Sequence, residues 1–296
     1  MNIPSLRTLS GAVLLLLATL LGAAPAQATL VRVHTTQGPM DLQLLDAEAP
    51  TTVANFLAYV RAGLYADVLF HRSSPGFVVQ GGGFQWKPNT GAITPVATFA
   101  AIRNEFSSTR SNVRGTVAMA KTATGPDTAT SQWFVNLANN ARNLDNQNGG
   151  FTVFARVTAP GLAVADKIAA LPVYNASWVA SVGSAMTELP VLVRPVTASL
   201  ARANVVIINQ VTELPSGSDS DRVFNYLEAS YPQFLAPSVG VAGSFEGYAY
   251  RWYSASNVYL ATQGGTVWYL APASGAGLIE LGSVADWLAQ AQASGY

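Results

Sequence analysis

The stretch Phe70-His71-Arg72-Ser73-Ser74-Pro75-Gly76-Phe77-Val78-Val79-Gln80-Gly81-Gly82 decides the fold of this 296-residue chain. Two short β-prone runs, residues 68–70 and 77–80, lie on either side of its Pro-Gly pair. Further runs of the same kind alternate with Gly, Asn and Pro at residues 115–120, 133–137 and 152–157. This spacing predicts an antiparallel barrel or sandwich.

A hairpin, two helices and a closing strand surround this stretch. Residues 30–44 contain two β-prone runs joined by a turn around Gly38-Pro39. The apolar residues that begin at Val53 recur at i, i+3, i+4 and i+7 and end at Gly63, which predicts a helix with one buried face. A second helical pattern spans residues 162–171, and residues 204–211 indicate a strand. Two helices and about eight strands therefore fill residues 29–214.

Three blocks of sequence, in this order, resemble the cyclophilin family. They are residues 70–82, Met119-Ala120 with Ala129-Thr130-Ser131-Gln132-Trp133-Phe134, and Asn143-Leu144-Asp145 with Phe151-Thr152-Val153-Phe154. The family reads F-H-R-x-x-P-G-F-x-x-Q-G-G, M-A…S-Q-F-F and L-D…V-F-G-K-V at these places. The resemblance covers residues 30 to about 213. It implies a mainly β fold, an eight-stranded antiparallel cyclophilin-like barrel capped by two helices. It also implies peptidyl-prolyl cis-trans isomerase activity on proline-containing polypeptides, without a cofactor or a metal.

The resemblance also implies the residues that act. Rotation about an X-Pro bond is slow because amide resonance imposes a barrier of about 18–20 kcal/mol. An Arg that donates towards the prolyl nitrogen stabilises the deconjugated amide, and Arg72 occupies the family's catalytic position. Gln80 stands where the family holds the substrate carbonyl, and Gln132 is the next candidate. The residues implied to contact the proline ring and its neighbours are Phe77, Val78, Ala120, Phe134, Leu144 and Phe151.

Each of these residues also has an ordinary structural explanation. A lone Arg is more often solvated or salt-bridged, a Gln at a strand end more often bonds the backbone, and a lone apolar residue is more often core. The motif around Arg72 favours catalysis there, whereas the two explanations stay open for Gln132. Alternation along the strand predicts that Phe134 lies on the opposite face from Trp133, which we expect inside the barrel.

Other kinds of site fit the sequence poorly. A Ser-His-Asp hydrolase would have to use His34 or His71, and the chain contains no G-x-S-x-G elbow. Two His and no Cys are too few ligands for a zinc site. The glycines at 81–83 lack the Lys-Ser/Thr pair of a phosphate loop. With 16 basic and 16 acidic residues, the chain also lacks the excess of positive charge expected of a nucleic-acid-binding protein.

The N-terminus has the pattern of a cleavable signal peptide. Arg7 precedes an apolar run at residues 12–21, and Ala26-Gln27-Ala28 follows it. The run is about half of the ~20 residues that a membrane-spanning helix needs, which argues against an anchor. We therefore expect residues 1–28 to be removed and the mature protein to be periplasmic or secreted, without stable membrane insertion.

The C-terminal part of the chain indicates a second, smaller unit. Residues 173–202 show little pattern and predict a long loop with at most one edge strand. Residues 215–220 have linker composition, and a helix should begin there with Asp219 or Ser220 as its N-cap. Residues 221–296, with three aromatic strand candidates, predict an α+β module of unknown function and partner. Its aromatics form either a small core or an exposed face that binds polypeptide or glycan.

Two further expectations concern function. The rival to an isomerase is a chaperone or targeting module that binds Pro-containing segments, with incidental turnover. The intact Arg72, Gln80 and Phe134 favour the isomerase, because a purely binding protein has no need of Arg72. Cyclosporin-sensitive members of the family carry a Trp where this chain has Asn143, which predicts weak drug binding.

Overall fold

The short apolar runs of residues 30–214 assemble into one curled antiparallel sheet in a computed structural model. The structure describes residues 28–179, 182–195, 199–235 and 239–296. The predicted signal peptide, except for Ala28, lies outside the described residues. No helix among the described residues is long and apolar enough to cross a membrane.

The elements follow one another along the described chain as strands with a few helices between them. The strands are β1 (Leu30–Thr35), β2 (Gly38–Leu44), β3 (Val68–Leu69), β4 (Arg72–Ser74), β5 (Val78–Gly81), β6 (Phe84–Lys87), β7 (Ala92–Pro95), β8 (Thr116–Met119), β9 (Trp133–Asn136), β10 (Val153–Val157), β11 (Val173–Tyr174), β12 (Leu189–Pro190), β13 (Ile207–Leu214), β14 (Val241–Phe245), β15 (Tyr248–Tyr253), β16 (Val258–Gln263), β17 (Thr266–Leu270) and β18 (Leu278–Ser283). The α-helices are α1 (Pro50–Arg61), α2 (Ala141–Leu144), α3 (Ala159–Ala169), α4 (Asp219–Ser230), α5 (Pro232–Leu235) and α6 (Val284–Ala293). Short 3-10 helices lie at Gly183–Met186, Arg202–Asn204 and Pro272–Ser274.

The main sheet has the strand order β4-β5-β9-β8-β10-β2-β1-β13-β3-β6-β7. The expected mainly β class is confirmed, and the described sheet has eleven strands where we expected about eight. The difference arises because the chain from residue 68 to residue 95 bends repeatedly and forms several strands of two to four residues. Glycine permits one of these bends: Gly82, between β5 and β6, has a φ of +83°.

The two predicted helices pack their apolar faces on the core of this sheet. In α1 the four residues at i, i+3, i+4 and i+7, namely Val53, Phe56, Leu57 and Val60, are all buried. Pro50 begins this helix, where its missing N–H costs nothing. In α3 the buried residues include Val164 and Ile168. Both helices therefore form as the apolar periodicity predicted.

Residues 173–206, where described, form a folded lobe that we call the insert lobe. For residues 173–202 we expected a long loop with at most one edge strand; the structure instead has two short strands there and buries several apolar residues against the main sheet. The lobe's buried residues pack against β3, β6 and β7; the cluster comprises Leu69, Phe84, Trp86, Ile93, Ala176, Val182, Met186, Leu189, Val191, Val205 and Ile207. The strands β11 and β12 pair within it. The insert lobe thus extends the barrel beside β4.

The described residues of the segment 219–296 form a second sheet with helices on one face. The strands follow the order β14-β15-β16-β17-β18, which is five strands where the sequence indicated three. Tyr253, Leu260 and Val267 are buried against α4. Aromatic residues on the opposite face keep part of their surface exposed, and they include Tyr248, Tyr250, Trp252, Tyr259 and Trp268. The helix α4 is capped by Ser218, whose Oγ accepts from the N–H of Asp221 at 3.1 Å, and not by Asp219 or Ser220.

Buried charged and polar side chains join this second unit to the main sheet. We call them the polar seam; they are Arg32, Asp41, Glu228, Arg251, Tyr253 and Tyr296. Arg32 of β1 donates to Asp41 of β2 from Nε and Nη2, both at 2.7 Å, and to Glu228 of α4 from Nη1. The second oxygen of Glu228 accepts from Arg251 at 3.0 Å. Each charge in this interface therefore has an opposite charge beside it, as burial requires.

Candidate functional site

The motif residues lie in one row across four neighbouring strands. In β4 and β5, Arg72 pairs with Gln80; in β5 and β9, Gln80 pairs with Phe134; and in β9 and β8, Phe134 pairs with Ala118. Residues directly opposite each other in a sheet point to the same face. The pairing register therefore places Arg72, Gln80 and Phe134 together on one face of the sheet.

This face lies opposite the barrel core. Along β9, Trp133 and Val135 are completely buried in the main core, whereas Phe134 between them belongs to a separate apolar cluster. Along β5, Val79 enters the main core and Val78 enters the separate cluster. The predicted alternation of Trp133 and Phe134 is confirmed, and it directs Phe134 away from the barrel interior.

The separate apolar cluster lies beside Arg72, which contacts the ring of Phe77, and beside Gln80, which pairs with Phe134. We call this cluster the apolar slot. It contains all six residues that the family resemblance implied: Phe77, Val78, Ala120, Phe134, Leu144 and Phe151. Val78, Phe134 and Leu144 are buried, while Phe77, Ala120 and Phe151 are partly buried. The rings of Phe134 and Phe151 meet edge to face, with centroids 5.8 Å apart. We call the three buried residues the floor of the slot and the three partly buried residues its rim.

Arg72 is the cationic group beside this slot. Its side chain is 35% exposed, and its Nε donates to Glu188 Oε2 at 2.7 Å. Its guanidinium carbon lies 5.9 Å from the centre of the Phe77 ring, a cation–π contact. Within the described residues, no hydrogen bond from either Nη group of Arg72 is present. No sequence pattern pointed to Glu188, because it lies 116 positions from Arg72 in a segment without apolar periodicity.

Gln80 and Gln132 form a side-chain pair next to Arg72. The Nε2 of Gln80 donates to the Oε1 of Gln132 at 2.8 Å. The backbone oxygen of Gln132 accepts from the N–H of Ala120 at 2.9 Å, which fixes this pair relative to the slot. The structure thus brings the second carbonyl-binding candidate into contact with the first.

His71 has the environment of a structural residue. Its side chain is almost completely buried, and the ring meets the edge of Phe84 with centroids 4.8 Å apart. Burial lowers the pKa of His71 to about 4, so the imidazole is neutral at pH 7. His34, the other histidine, has its pKa lowered to about 4 by burial and by Arg32 nearby. Neither histidine supplies a charge to the slot at neutral pH.

Comparisons with known proteins match a large part of this chain to one family. Residues 30–186 match the family described as Cyclophilin type peptidyl-prolyl cis-trans isomerase/CLD. A peptidyl-prolyl cis-trans isomerase of Acinetobacter baylyi is 41% identical over 145 residues, which are 49% of this chain and 73% of that protein. Peptidyl-prolyl cis-trans isomerase B of Escherichia coli K12 is 41% identical over 143 residues, which are 47% of this chain and 83% of that protein.

Among solved structures, a Cryptosporidium parvum cyclophilin type peptidyl-prolyl cis-trans isomerase matches at 20% identity with a TM-score of 0.46, covering 64% of this chain and 99% of its own. The family match spans more than half of the chain, and the two bacterial relatives are matched over more than two thirds of their own lengths. The chain therefore belongs to the cyclophilin-type peptidyl-prolyl cis-trans isomerases.

Proposed function

We propose that Arg72, Gln80 and the apolar slot around Phe134 form the active site of this isomerase. The observation that carries the proposal is the row Arg72–Gln80–Phe134 across β4, β5 and β9, which sets a cation, an amide and an aromatic surface side by side. These are the groups that an X-Pro bond needs, because its transition state has a pyramidal nitrogen, a rotating carbonyl and an apolar ring.

Arg72 is the group proposed to lower the barrier. Loss of conjugation leaves a lone pair on the prolyl nitrogen, and a guanidinium N–H can donate to that lone pair only while the amide is twisted. Such an interaction is stronger in the transition state than in the ground state, so it accelerates rotation. The Nη groups are proposed to make this contact, since Nε is already engaged by Glu188.

The slot and the glutamine pair are proposed to hold the substrate still while the bond turns. The buried floor of Val78, Phe134 and Leu144 fits the apolar face of a proline ring. The Gln80–Gln132 pair lies at the polar side of the slot, where an amide N–H can donate to the substrate carbonyl. Holding both ends restricts the motion to rotation about the C–N bond.

The substitution Arg72→Ala tests this proposal in an exchange-NMR or protease-coupled assay on a short X-Pro peptide. We expect kcat/KM to fall about 10²–10³-fold, the range seen when one preorganised transition-state donor is removed. Arg61→Ala is the matched control, because Arg61 also donates from Nε to a carboxylate, Glu213, at 2.8 Å. A folded Arg72→Ala variant with full turnover would refute the proposal and favour the Pro-segment-binding module instead.

We also propose that the enzyme acts outside the cytoplasm, on newly exported or unfolded chains. The N-terminal pattern, Arg7 with an apolar run and Ala26-Gln27-Ala28, supports this location. Expression of the full chain in a Gram-negative host, followed by fractionation and N-terminal sequencing, tests it. We expect a periplasmic or secreted product that begins at Thr29; a cytoplasmic product that retains residues 1–28 would contradict it.

A further inference from the structure

Arg72 has a carboxylate partner that comes from outside the three motif blocks. Glu188 Oε2 accepts from Arg72 Nε at 2.7 Å, and the two side chains are 39% and 35% exposed. Glu188 belongs to the insert lobe and lies two positions beyond the end of the family match at residue 186. The cyclophilin motifs therefore do not account for this contact.

The insert lobe holds Glu188 firmly at this position. The backbone oxygen of Glu188 accepts from the N–H of Ser73 at 2.7 Å, which ties the lobe to β4 one residue after Arg72. Met186 and Leu189, on either side of Glu188, are completely buried in the core of the lobe. In addition, Leu189 pairs with Tyr174 in the β11–β12 ladder. A backbone anchored on both sides fixes where the carboxylate can reach.

The contact constrains the part of Arg72 that does not face a substrate. An arginine side chain has several rotatable bonds, so a free Arg72 would sample many orientations of its guanidinium. A bond to Nε restricts the plane of the guanidinium and leaves the Nη groups free of that bond. The pair is also half-exposed, so water screens the negative charge of Glu188 and limits how far it weakens the positive field of Arg72.

We propose that Glu188 is a positioning residue that holds the guanidinium of Arg72 in the orientation required for catalysis. The inference rests on the proposed function of Arg72. It assigns the insert lobe a role in turnover: the lobe supplies an acceptor that the barrel strands do not contain at this position. The acceptor must reach Nε, whereas its negative charge is secondary.

A pair of substitutions separates the reach of the acceptor from its charge. Glu188→Gln keeps the length of the side chain and an Oε1 acceptor, so we expect kcat/KM within about two-fold of the natural protein. Glu188→Asp keeps the charge, but its side chain is one methylene shorter and no longer reaches Arg72 Nε. We expect kcat/KM to fall about ten-fold in this variant. Glu188→Ala should resemble Glu188→Asp. The loss should fall mainly on kcat, because the apolar slot that binds the proline ring is unchanged.

Two controls identify the route by which Glu188 acts. Glu213→Ala removes a similar Nε–carboxylate pair, at 2.8 Å, from Arg61, and should leave turnover unchanged. In a double-mutant cycle, Glu188→Ala should have no further effect once Arg72 is Ala, because the two residues act as one unit. Circular dichroism and thermal melting establish whether each variant is folded. If Glu188→Ala is not folded, the Gln and Asp variants test the positioning role of Glu188.

Each result has a distinct meaning. A fully active Glu188→Asp, or additive effects in the cycle, would overturn the positioning role. A Glu188→Gln variant faster than the natural protein would overturn it as well, since Glu188 would then act as a brake through its charge. If Arg72→Ala itself keeps full turnover, the proposed function fails; if only the Glu188 variants are silent, this inference fails alone.

Discussion

Asn143 directly precedes Leu144 of the slot, and the family resemblance aligns it with a Trp of cyclosporin-sensitive cyclophilins. It lies exposed on α2, directly before the buried Leu144. The Oδ1 of Asn143 accepts a hydrogen bond from the side chain of Gln147, which is also exposed. An indole at this position would instead add apolar cover and an N–H donor.

We therefore expect cyclosporin to bind weakly while peptide turnover is normal. Losing the burial of one aromatic side chain removes about 1.5–3 kcal/mol, which corresponds to roughly ten- to one-hundred-fold in Kd. Titrating the drug in the isomerase assay measures this. Asn143→Trp should restore sensitivity, and Asn89→Trp, on the exposed turn between β6 and β7, is the control. Tight nanomolar inhibition of the natural protein would contradict the prediction.

The structure leaves no room for a side chain at Gly82. At its φ of +83°, an added Cβ would lie 2.4 Å from the backbone oxygen of Ser131 and 3.0 Å from the Trp133 ring. The collision involves backbone, so it cannot be relieved by rotating a side chain. Ser131 and Gln132 lead into β9, which carries Phe134.

We expect Gly82→Ala to lower both stability and turnover. Gly63→Ala should lower stability only modestly and leave turnover unchanged. Gly63 has a similar φ of +66°, but an added Cβ there has no heavy atom within 4 Å. The control thus isolates the backbone strain, about 1–3 kcal/mol, from the collision. Thermal melting and the peptide assay on both variants measure the difference. Equal stabilities would show that the contact with Ser131 is relieved without cost.

Among the helices and strands, apolar periodicity correctly predicted the features that depend on neighbouring residues in the chain. The helix from Pro50 formed because its apolar residues share one face, and the row on β5 and β9 formed because strands alternate. The insert lobe could not be predicted, since its buried residues are spaced irregularly and pack on partners about a hundred positions earlier, such as Leu69 and Trp86. For the same reason the Arg72–Glu188 contact was invisible in the sequence.

The packing of α4 on β1 and β2 depends on ionised groups. Burial alone would raise the pKa of Glu228, but Arg32, Arg251 and the hydrogen bond from Tyr253 outweigh it, so the pKa lies below its usual value of 4.5. A carboxylate whose pKa is lower in the folded state stabilises the protein at a pH above its unfolded pKa. That contribution declines as the pH falls below 4.5 towards the folded pKa.

We expect Glu228→Gln to lower stability by about 3 kcal/mol at pH 7, because it leaves buried guanidinium groups with fewer anionic partners. The difference in free energy of unfolding between the variant and the natural protein should be largest at neutral pH and should decrease as the pH falls below 4.5. Chemical denaturation at several pH values measures it. Glu213→Gln, which removes an exposed partner of Arg61, should change stability little. A Glu228→Gln effect that does not vary with pH would contradict the assignment.

Across the described molecule, the proposed active site and the contact with the C-terminal unit involve different parts of the main sheet. Arg72 is on β4, at one end of the strand order, whereas the polar seam involves β1 and β2 near its middle. Apolar residues extend the same interface, in which Leu30 packs with Ala229, Ala291 and Tyr296. The arrangement separates the proposed active site from the contact that joins the two units.

We expect deletion of residues 215–296 to preserve turnover per folded molecule and to reduce stability. The fragment 29–214 keeps Arg72, Gln80, the slot and Glu188. It exposes Leu30, however, and Arg32 loses Glu228 as a partner. Active-site titration with thermal melting separates the two effects. A folded fragment that has lost isomerase activity would contradict the division into a catalytic unit and an accessory one.

The polar seam also has a consequence for the rate at which the protein opens. Its contacts join residues that are far apart in the chain, 196 positions for Arg32 and Glu228 and 255 for Asp41 and Tyr296. We expect contacts between the two units to form late in folding, after each unit has its own core. Interactions made after the folding transition state slow unfolding without hastening folding. In a compartment that contains proteases, the seam would therefore protect the enzyme by prolonging the lifetime of its closed form.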